Sequence, residues 1–386
     1  MIKRETGFSL LELLIVMLIM GFVLTASSEM FVSLLRGYKQ QSKIAETNIE
    51  GIIGLELLRR DIESAGYGLP WLIPAGTTYS EATNVPAAAY NDSNANPPRA
   101  VLSDVVTAAG YVSGSDYLVV KAINVARNAA STKWTNLLIS GVTPTTTIWD
   151  PTTENLSLSD RVIVISPGAT ALNSRVLSGP SGPINLGTPL QMSGVAAFAD
   201  PDTTRRETRI VYGVAPADGV NPLIMPFNRA DYSVRTDVDI PKRCAPGTGV
   251  LMKAIVNPSN GGFDGFNVLP LLDCVADMQV VNFLDTTVPP DGVGDVFSNA
   301  NSLSVAASAT AAQTIRGQLK AVHVYILTHE GQRDTGYTHS TNTMIWVGVP
   351  NSTMFGRSFD LAANITNWQN YRWKVYTLVV RPNNLR

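Results

Sequence analysis

The sequence predicts an α+β fold, in which a long N-terminal α-helix packs on an antiparallel β-sheet domain with long loop insertions. Three observations support this prediction. An apolar run extends from Phe8 to Ala26, no proline occurs between Met1 and Leu69, and strand-like runs separated by turn-rich connectors follow. Helical and alternating periodicities are the main sequence signals for secondary structure. With 386 residues, the chain can bury a large core in one or two domains.

The N-terminal apolar run has the length of a membrane span. As a helix that rises about 1.5 Å per residue, Phe8 to Ala26 reaches roughly 29 Å, which matches the hydrocarbon core of a bilayer. Lys3 and Arg4 flank the run on one side only. This asymmetry predicts a cytoplasmic N-terminus, with the residues after Ser27 outside the inner membrane.

The candidate processing site precedes the apolar run. A secretory signal would instead carry an Ala-x-Ala-like site after it, and no cysteine for a lipoprotein anchor lies nearby. The sequence GFSLLEL of residues 7–13 resembles the leader region of type IV prepilins. The resemblance implies that a prepilin peptidase cleaves between Gly7 and Phe8 and methylates the new N-terminus of Phe8. The predicted parts are a leader at 1–7, a transmembrane and assembly helix at 8–68, and an extracytoplasmic β-rich domain at 69–386.

Glu12 is the one charged residue in the apolar run. A carboxylate inside a membrane span costs a few kcal/mol and usually has a function. Cleavage after Gly7 would place an ammonium group on Phe8, one helical turn away. The resemblance implies that Glu12 pairs with the N-terminus of a neighbouring subunit in a filament. The alternative is that Glu12 snorkels towards the cytoplasmic headgroups.

The helix is predicted to continue out of the membrane as an amphipathic helix. Unbroken from Phe8 to Ala65, it would extend roughly 87 Å. Oppositely charged residues spaced i,i+4 lie on its wet face, and a cluster of glycine and proline ends it. The charge pairs are Glu56–Arg60 and Arg59–Glu63, and the helix is predicted to end at Gly66, Gly68 and Pro70. The apolar stripe comprises Phe31, Leu34, Leu35, Tyr38, Ala45, Ile49, Ile52, Ile53, Leu55, Leu58, Ile62 and Ala65.

Two features of this helix bear on how it bends. Gly21, Gly37, Gly51 and Gly54 are expected weak points. Filament-forming pilins mostly carry a helix-breaking proline shortly after the glutamate, whereas residues 27–29 here read Ser-Ser-Glu.

Two further stretches resemble the PilW-like family of minor pilins. The helix exit at 57–68, LLRRDIESAGYG, has that family's acidic and basic helix end followed by Ala-Gly. The C-terminal third follows the same layout, with LLDCVADMQVVNFLD, then LKAVHVYILTHEG, then YRWKVYTLVVRPNNLR. The resemblance covers roughly half of the chain. Residues 71–245 match no known pattern and are interpreted as a possible elaboration that carries any binding surface.

The globular part is predicted to be mostly strands. Residues 71–100, rich in Ala, Asn and Pro, are predicted to form a long surface loop, and Pro270–Met278 a short helix. Loops of this length between strands favour an antiparallel sheet with insertions. The predicted strands are Asp116–Val125, Arg161–Ser166, Thr208–Val214, Val250–Val256, Gln279–Leu284, Gln318–His329, Met344–Val349 and Tyr371–Arg381.

Composition and cysteine content narrow the classes of function. The net charge of −2 and the 16% share of charged residues indicate no nucleic-acid partner and suit an extracytoplasmic β-rich domain. The only cysteines are Cys244 and Cys274. In an oxidising compartment one disulfide is the default expectation, and two separate buried thiols are the alternative.

The sequence shows little sign of catalytic or metal chemistry. His323 and His329, six residues apart in a predicted strand, would be about 20 Å apart, and neither they nor His339 belong to a metal-binding motif. The Asp285–Asp295 loop lacks the spacing of a calcium loop and is predicted to be a solvated turn. We therefore expect no cofactor, no metal and no enzymatic activity. One alternative stays open, in which Asp231, Asp237 and Asp239 come together in the active site of a surface enzyme.

The resemblances together imply a minor pilin of a type IV pilus, which takes part in priming pilus assembly near the filament tip. Its expected partners are prepilin peptidase, other major and minor pilins bound through the N-terminal helix, and the inner membrane before assembly; its expected final location is the pilus at the cell surface. Two alternatives remain. One is a type II secretion pseudopilin of the GspJ type, and the other is a membrane-tethered surface adhesin or enzyme.

Overall fold

The computed structural model confirms the α+β fold, with one long helix followed by a mostly antiparallel β-sheet domain. It describes residues 9–92, 94–170, 174–180, 184, 186, 190–200, 202, 204, 206–217, 222–299 and 309–385. The helices are α1 (Leu10–Glu63), α2 (Ala309–Gln318) and α3 (Leu361–Asn364). The strands are β1 (Val101–Val105), β2 (Asp116–Ala122), β3 (Trp134–Ser140), β4 (Thr145–Thr146), β5 (Arg161–Pro167), β6 (Arg175–Ser178), β7 (Arg206–Ala215), β8 (Asn228–Arg235), β9 (Gly249–Val256), β10 (Phe263–Leu284), β11 (Val296–Asn299), β12 (Leu319–Glu330), β13 (Met344–Gly348), β14 (Gly356–Asp360) and β15 (Arg372–Val380).

Within the described ranges the strands form three sheets. The main sheet has the order β1-β2-β8-β9-β10-β12-β15, with β11 also paired to β10. A second sheet has the order β4-β3-β7-β5-β6, and β13 and β14 form a hairpin. All of these pairings are antiparallel. The stretch 71–245 thus contributes β1, β2 and β8 to the main sheet and all five strands of the second sheet.

The core lies on both faces of the main sheet. One face, together with α1 and part of the second sheet, forms the largest apolar cluster, which includes Leu58, Ile62 and Ile163. The opposite face packs against the β13–β14 hairpin through residues such as Val347 and Tyr325. The period-two alternation of strands explains why β5 serves two cores, because Ile163 joins the main cluster while Val162 faces the second sheet's own cluster.

Helix α1 is continuous over 54 residues, or about 81 Å. None of its glycines interrupts it. The predicted charge pairs are confirmed, since Arg60 lies 2.9 Å from Glu56 and Arg59 pairs with Glu63. Ser64 caps the C-terminus, and Gly66 then adopts a φ of 85°, a left-handed conformation that glycine takes without a steric penalty.

Gly54 marks the closest approach between α1 and the sheet. A Cβ atom at this position would lie 1.8 Å from the carbonyl oxygen of Leu271 in β10. A Cβ at Gly51 would meet the side chain of Leu272 at 2.9 Å. Gly54, expected to be a weak point of the helix, is therefore the position at which the missing side chain lets the helix backbone contact the strand.

The predicted strand Asp116–Val125 ends at Ala122, and a 3-10 helix, Ile123–Ala126, follows it. Two other predictions were wrong. Residues 270–278 are not a short helix but part of strand β10, whose pairing shifts register after Pro270 and again after Leu272. Because these bulges interrupt the strict alternation, apolar residues fall at helix-like spacing. Residues 71–100 form no regular sheet, yet they are not a surface loop, since Tyr79, Glu81 and Arg99 are buried against the main sheet.

The close approach of Gly54 can be tested by substitution. We expect Gly54→Ala to lower the free energy of unfolding of the globular domain by about 1–3 kcal/mol, because the methyl group would overlap a backbone carbonyl. Gly37→Ala is the matched control, since no atom lies within 4 Å of a Cβ there, and it should leave domain unfolding unchanged. Thermal unfolding of the detergent-solubilised full chain measures both, and equal melting curves for the two variants would contradict the assignment.

Candidate functional site

The N-terminal part of α1 projects away from the globular domain. Its apolar side chains are exposed from Leu10 to Leu35, and Glu12 is exposed among them. Ser9 caps the helix by accepting a hydrogen bond from the backbone N–H of Glu12 (3.2 Å). The predicted cleavage site, Gly7–Phe8, lies outside the described residues. α1 is also the one helix of the described chain that is long and apolar enough to cross a membrane.

The C-terminal part of α1 is attached to the sheet through buried apolar residues. Leu55, Leu58 and Ile62, together with Ala65 just beyond the end of the helix, are all buried, and they continue the stripe predicted from the sequence. Ile49, Ile52 and Ile53, which precede them, are exposed. The apolar stripe is therefore divided between a surface that faces the domain and a surface that faces outwards.

Asp61 fixes this attachment with a buried charge. Its carboxylate accepts hydrogen bonds from Lys253 in β9 and from the Tyr232 hydroxyl in β8, and it pairs with Arg127 at 2.9 Å. Lys253 also donates to the carbonyl oxygen of Val125 (2.8 Å). Burial lowers the pKa of Lys253, although the charge of Asp61 opposes this. Burial and Asp61 together raise the pKa of Tyr232 well above its ordinary value.

A groove of about 830 Å³ runs beside this attachment. Its walls are α1 from Gly51 to Arg60 and β10 from Leu269 to Cys274, and His329 and Tyr376 also line it. Each charged side chain that lines it has a partner of opposite charge, either within the groove, as in the contact of 2.7 Å between Arg243 and Asp273, or beside it, as in the pairs Arg127–Asp61 and Glu330–Lys374. The groove is therefore an apolar cleft without an uncompensated charge among its described residues.

Cys244 and Cys274 are joined by a disulfide bond in the structure. The bond ties the segment before β9 to β10 at the side of the groove. His329 lies next to it and accepts a hydrogen bond from the backbone N–H of Ala245 (2.9 Å). Burial lowers the pKa of His329 to about 4, so the ring is neutral at physiological pH.

The other predicted or open residues do not form a shared site. Asp231 is buried against Arg229, whereas Asp237 pairs with Arg235 at the surface. Asp285 accepts hydrogen bonds from Thr287 and Gly292 and lies 3.5 Å from Lys320. The carboxylate of Asp285 is thus engaged by the protein's own donors. His323 and His339 contact aromatic rings, and burial lowers the pKa of each.

A second buried acidic group lies beneath the β13–β14 hairpin. Asp277 of β10 forms two hydrogen bonds with Arg357 of β14 (2.7 and 2.9 Å). Asp116 of β2 accepts a hydrogen bond from the backbone N–H of Val280 (2.7 Å). Burial, with a contribution from the charge of Asp277, raises the pKa of Asp116 to about 7. Asp116 is therefore a carboxyl group that gains or loses its proton near neutral pH.

Comparison with known families identifies the N-terminal segment. Residues 2–28 match the model of the prokaryotic N-terminal methylation motif. The N-terminus is type IV pilin-like. The match contains Gly7, Phe8 and Glu12 and extends well into α1. It supports processing by a prepilin peptidase, assembly with other pilins in general and a membrane anchor for this pilin-like chain. Comparisons with curated proteins and with solved structures found no match.

Sequence reasoning missed Asp61, Lys253 and Lys121, which the structure shows to be buried. The available signal was weak. Lys121 and Lys253 interrupt the apolar runs DYLVVKAINV and VLMKAIV, and a lysine within an otherwise buried strand implies a buried counter-charge. The sequence does not indicate which acid provides it.

Asp61 gives a direct test of the attachment. We expect Asp61→Asn to lower the free energy of unfolding by about 3–5 kcal/mol, because it leaves the Lys253 ammonium buried without a counter-charge. Glu56→Gln, on the same helix, should have little effect since its pairs are solvent-exposed. Denaturant unfolding of the full chain in detergent measures both. An equal response to the two substitutions would show that Asp61 does not have this role.

Asp116 should give the domain a pH-dependent stability. Its pKa is higher in the folded than in the unfolded chain, so the folded state binds the extra proton and stability falls as pH rises from about 4 to about 7. We expect wild type to lose stability relative to Asp116→Asn between pH 5 and pH 8. Comparing the two chains at each pH removes the contributions of the titratable groups that both contain, including His329. Parallel pH profiles of the two melting temperatures would contradict the prediction.

Proposed function

We propose that this pilin-like chain is a membrane-inserted prepilin that matures into a minor pilin of the PilW type and takes part in type IV pilus assembly. The observation that carries the proposal is the methylation motif at residues 2–28, located on a helix whose apolar side chains and Glu12 are exposed. The resemblance of residues 57–68 and of the C-terminal third to PilW-like chains supports the finer assignment.

In the proposed mechanism the chain acts through assembly with other subunits and not through catalysis. Cleavage after Gly7 frees an ammonium group on Phe8, and Glu12 of one subunit pairs with that group on its neighbour. In a low-dielectric surrounding this attraction is much stronger than in water. The apolar segment of α1 then exchanges lipid for helix contacts, which depend on close packing and interhelical polar pairs. Met17 and Leu24, both exposed, belong to the surface that would make these contacts.

The globular domain is proposed to lie at or near the filament tip, with a structural and not an enzymatic role. The rigid attachment through Gly54 and Asp61 supports this role, because force on α1 reaches the domain through packed and ion-paired contacts. An adhesin function of residues 71–245 is compatible with the same assembly. Of the acids left open in the sequence, Asp231 and Asp237 are engaged by separate arginines, and Asp239 is exposed.

The alternative within the same family is a pseudopilin of type II secretion, which would share the leader and helix. Cross-linking of the full chain in cells, followed by mass spectrometry of the linked partners, separates the two. Links to pilus subunits support the minor-pilin assignment, and links to secretion components support the pseudopilin.

The proposal is tested at the N-terminus. Expressed with prepilin peptidase, the chain should lose residues 1–7 and begin with N-methylated Phe8; without the peptidase it should retain them. Gly7→Leu should block processing, because the cleaved bond follows a small residue, and Gly21→Ala in the same segment should be processed normally. Mass spectrometry of the N-terminal peptide gives the answer. A cut after Ala26, or an intact leader in functional protein, would contradict the proposal.

A further inference from the structure

Lys121, Glu81 and Asp92 form a fully buried group on the main sheet. Lys121 belongs to β2, and both acids belong to the irregular stretch that precedes β1. The side chains of all three are at most 1% exposed. The Nζ atom of Lys121 lies 2.6 Å from Oδ2 of Asp92 and 2.6 Å from Oε2 of Glu81.

Two arginines complete the surroundings of this group. Arg99 donates from Nε to Oδ1 of Asp92 (2.5 Å) and from its backbone N–H to Oδ2 (2.9 Å). Arg229 donates to Oε2 of Glu81 (2.9 Å) and also pairs with Asp231. Burial acts to raise the pKa of Asp92, but the charges of Lys121 and Arg99 outweigh it and leave that pKa below its ordinary value.

We propose that Lys121 and Asp92 condense spontaneously into an intramolecular isopeptide bond, with Glu81 as the proton relay. An amine and a carboxyl group held in contact, out of reach of water, are the reactants of amide formation, and such fixed orientation replaces the entropy cost of bringing them together. Glu81 contacts the same ammonium group and can take its proton, which makes the nitrogen nucleophilic.

The reaction balances within the three side chains. The Nζ–Cγ bond forms and the Cγ–Oδ2 bond breaks. Two of the three protons on Nζ pass through Glu81 to Oδ2, which leaves as water, and the third stays on the amide nitrogen. Arg99 stabilises the negative charge that develops on Oδ1. No oxidant, reductant or other reactant is required.

The charges of the cluster favour the product. Condensation removes one positive and one negative charge, so Glu81 and Asp231 remain balanced by Arg99 and Arg229. Buried ions carry a large desolvation cost, and an amide of the same atoms avoids it. The bond would covalently join the stretch before β1 to β2 across 29 residues.

The chain contains an internal comparison. Lys253 and Asp61 are also a buried Lys–Asp pair, with side chains 1% and 3% exposed. The other hydrogen-bond acceptor of Lys253 among the described residues is the carbonyl oxygen of Val125, which cannot relay a proton as a carboxylate does. We therefore expect condensation at Lys121 and not at Lys253.

The test is the intact mass of the full chain, extracted from membranes in detergent. Wild type should be lighter than calculated by one water molecule, after allowance for processing and the disulfide. A tryptic digest should yield a branched peptide that joins the segments around Asp92 and Lys121. Asp92→Ala and Glu81→Gln should have their calculated masses. If a variant does not fold, the intact mass and the digest of wild type alone decide whether the bond forms.

Three results would overturn the proposal. The first is folded wild type at its full calculated mass. The second is a lost water that maps elsewhere, including to Lys253 and Asp61. The third is a Glu81→Gln chain that loses water as completely as wild type, because the relay would then be unnecessary.

Discussion

The buried carboxylate of Asp61 is the interaction on which the arrangement of this molecule depends. It extends from the last turn of a helix into the interior of a β-sheet domain, where Lys253, Tyr232 and Arg127 surround it. An unpaired charge in that position would be costly. The rotation of the helix about its axis and its position along that axis are therefore limited to those that keep Asp61 paired with Lys253. Gly54 adds a steric limit, because the helix backbone meets the carbonyl group of Leu271. Together the two contacts orient a helix that is otherwise free along most of its length.

The same helix serves two surroundings, and its sequence changes accordingly. Before Ser27 it is apolar on all sides apart from Glu12, as a membrane span requires. From Leu55 to Ile62 it has one buried face, on which Asp61 lies among apolar residues that recur at helical spacing. Between them, Ile49, Ile52 and Ile53 are exposed although they are apolar. Ile52 and Ile53 line the groove beside the attachment, so this exposed apolar surface is continuous with the groove.

Much of this organisation can be predicted from the sequence, because local patterns determine it. The leader, the apolar run and Glu12 lie within a few residues of one another, and the strands β5, β7, β9, β12, β13 and β15 are short apolar runs between turn residues. Only the C-terminal part of β10, predicted as Gln279–Leu284, was recognised, because the bulges at Pro270 and Leu272 disturb the period of two in the part before it. The burial of residues such as Tyr79, Glu81 and Arg99 within 71–100 could not be predicted from the sequence either, because a polar composition usually indicates a surface loop. Only the fold brings Glu81 and Asp92 to Lys121, and no local pattern encodes such a pairing.

Strand β10 changes neighbours along its length. Up to Val275 it pairs with β9, and from Val275 onwards it pairs with β12. Of the described strands, it alone connects β1, β2, β8 and β9 to β12 and β15. Helix α1 contacts both sides of this junction, because Asp61 pairs with Lys253 of β9 and Gln40 donates a hydrogen bond to the carbonyl oxygen of Gln332, which follows β12. The orientation of the helix therefore depends on β10 holding the two parts of the sheet together.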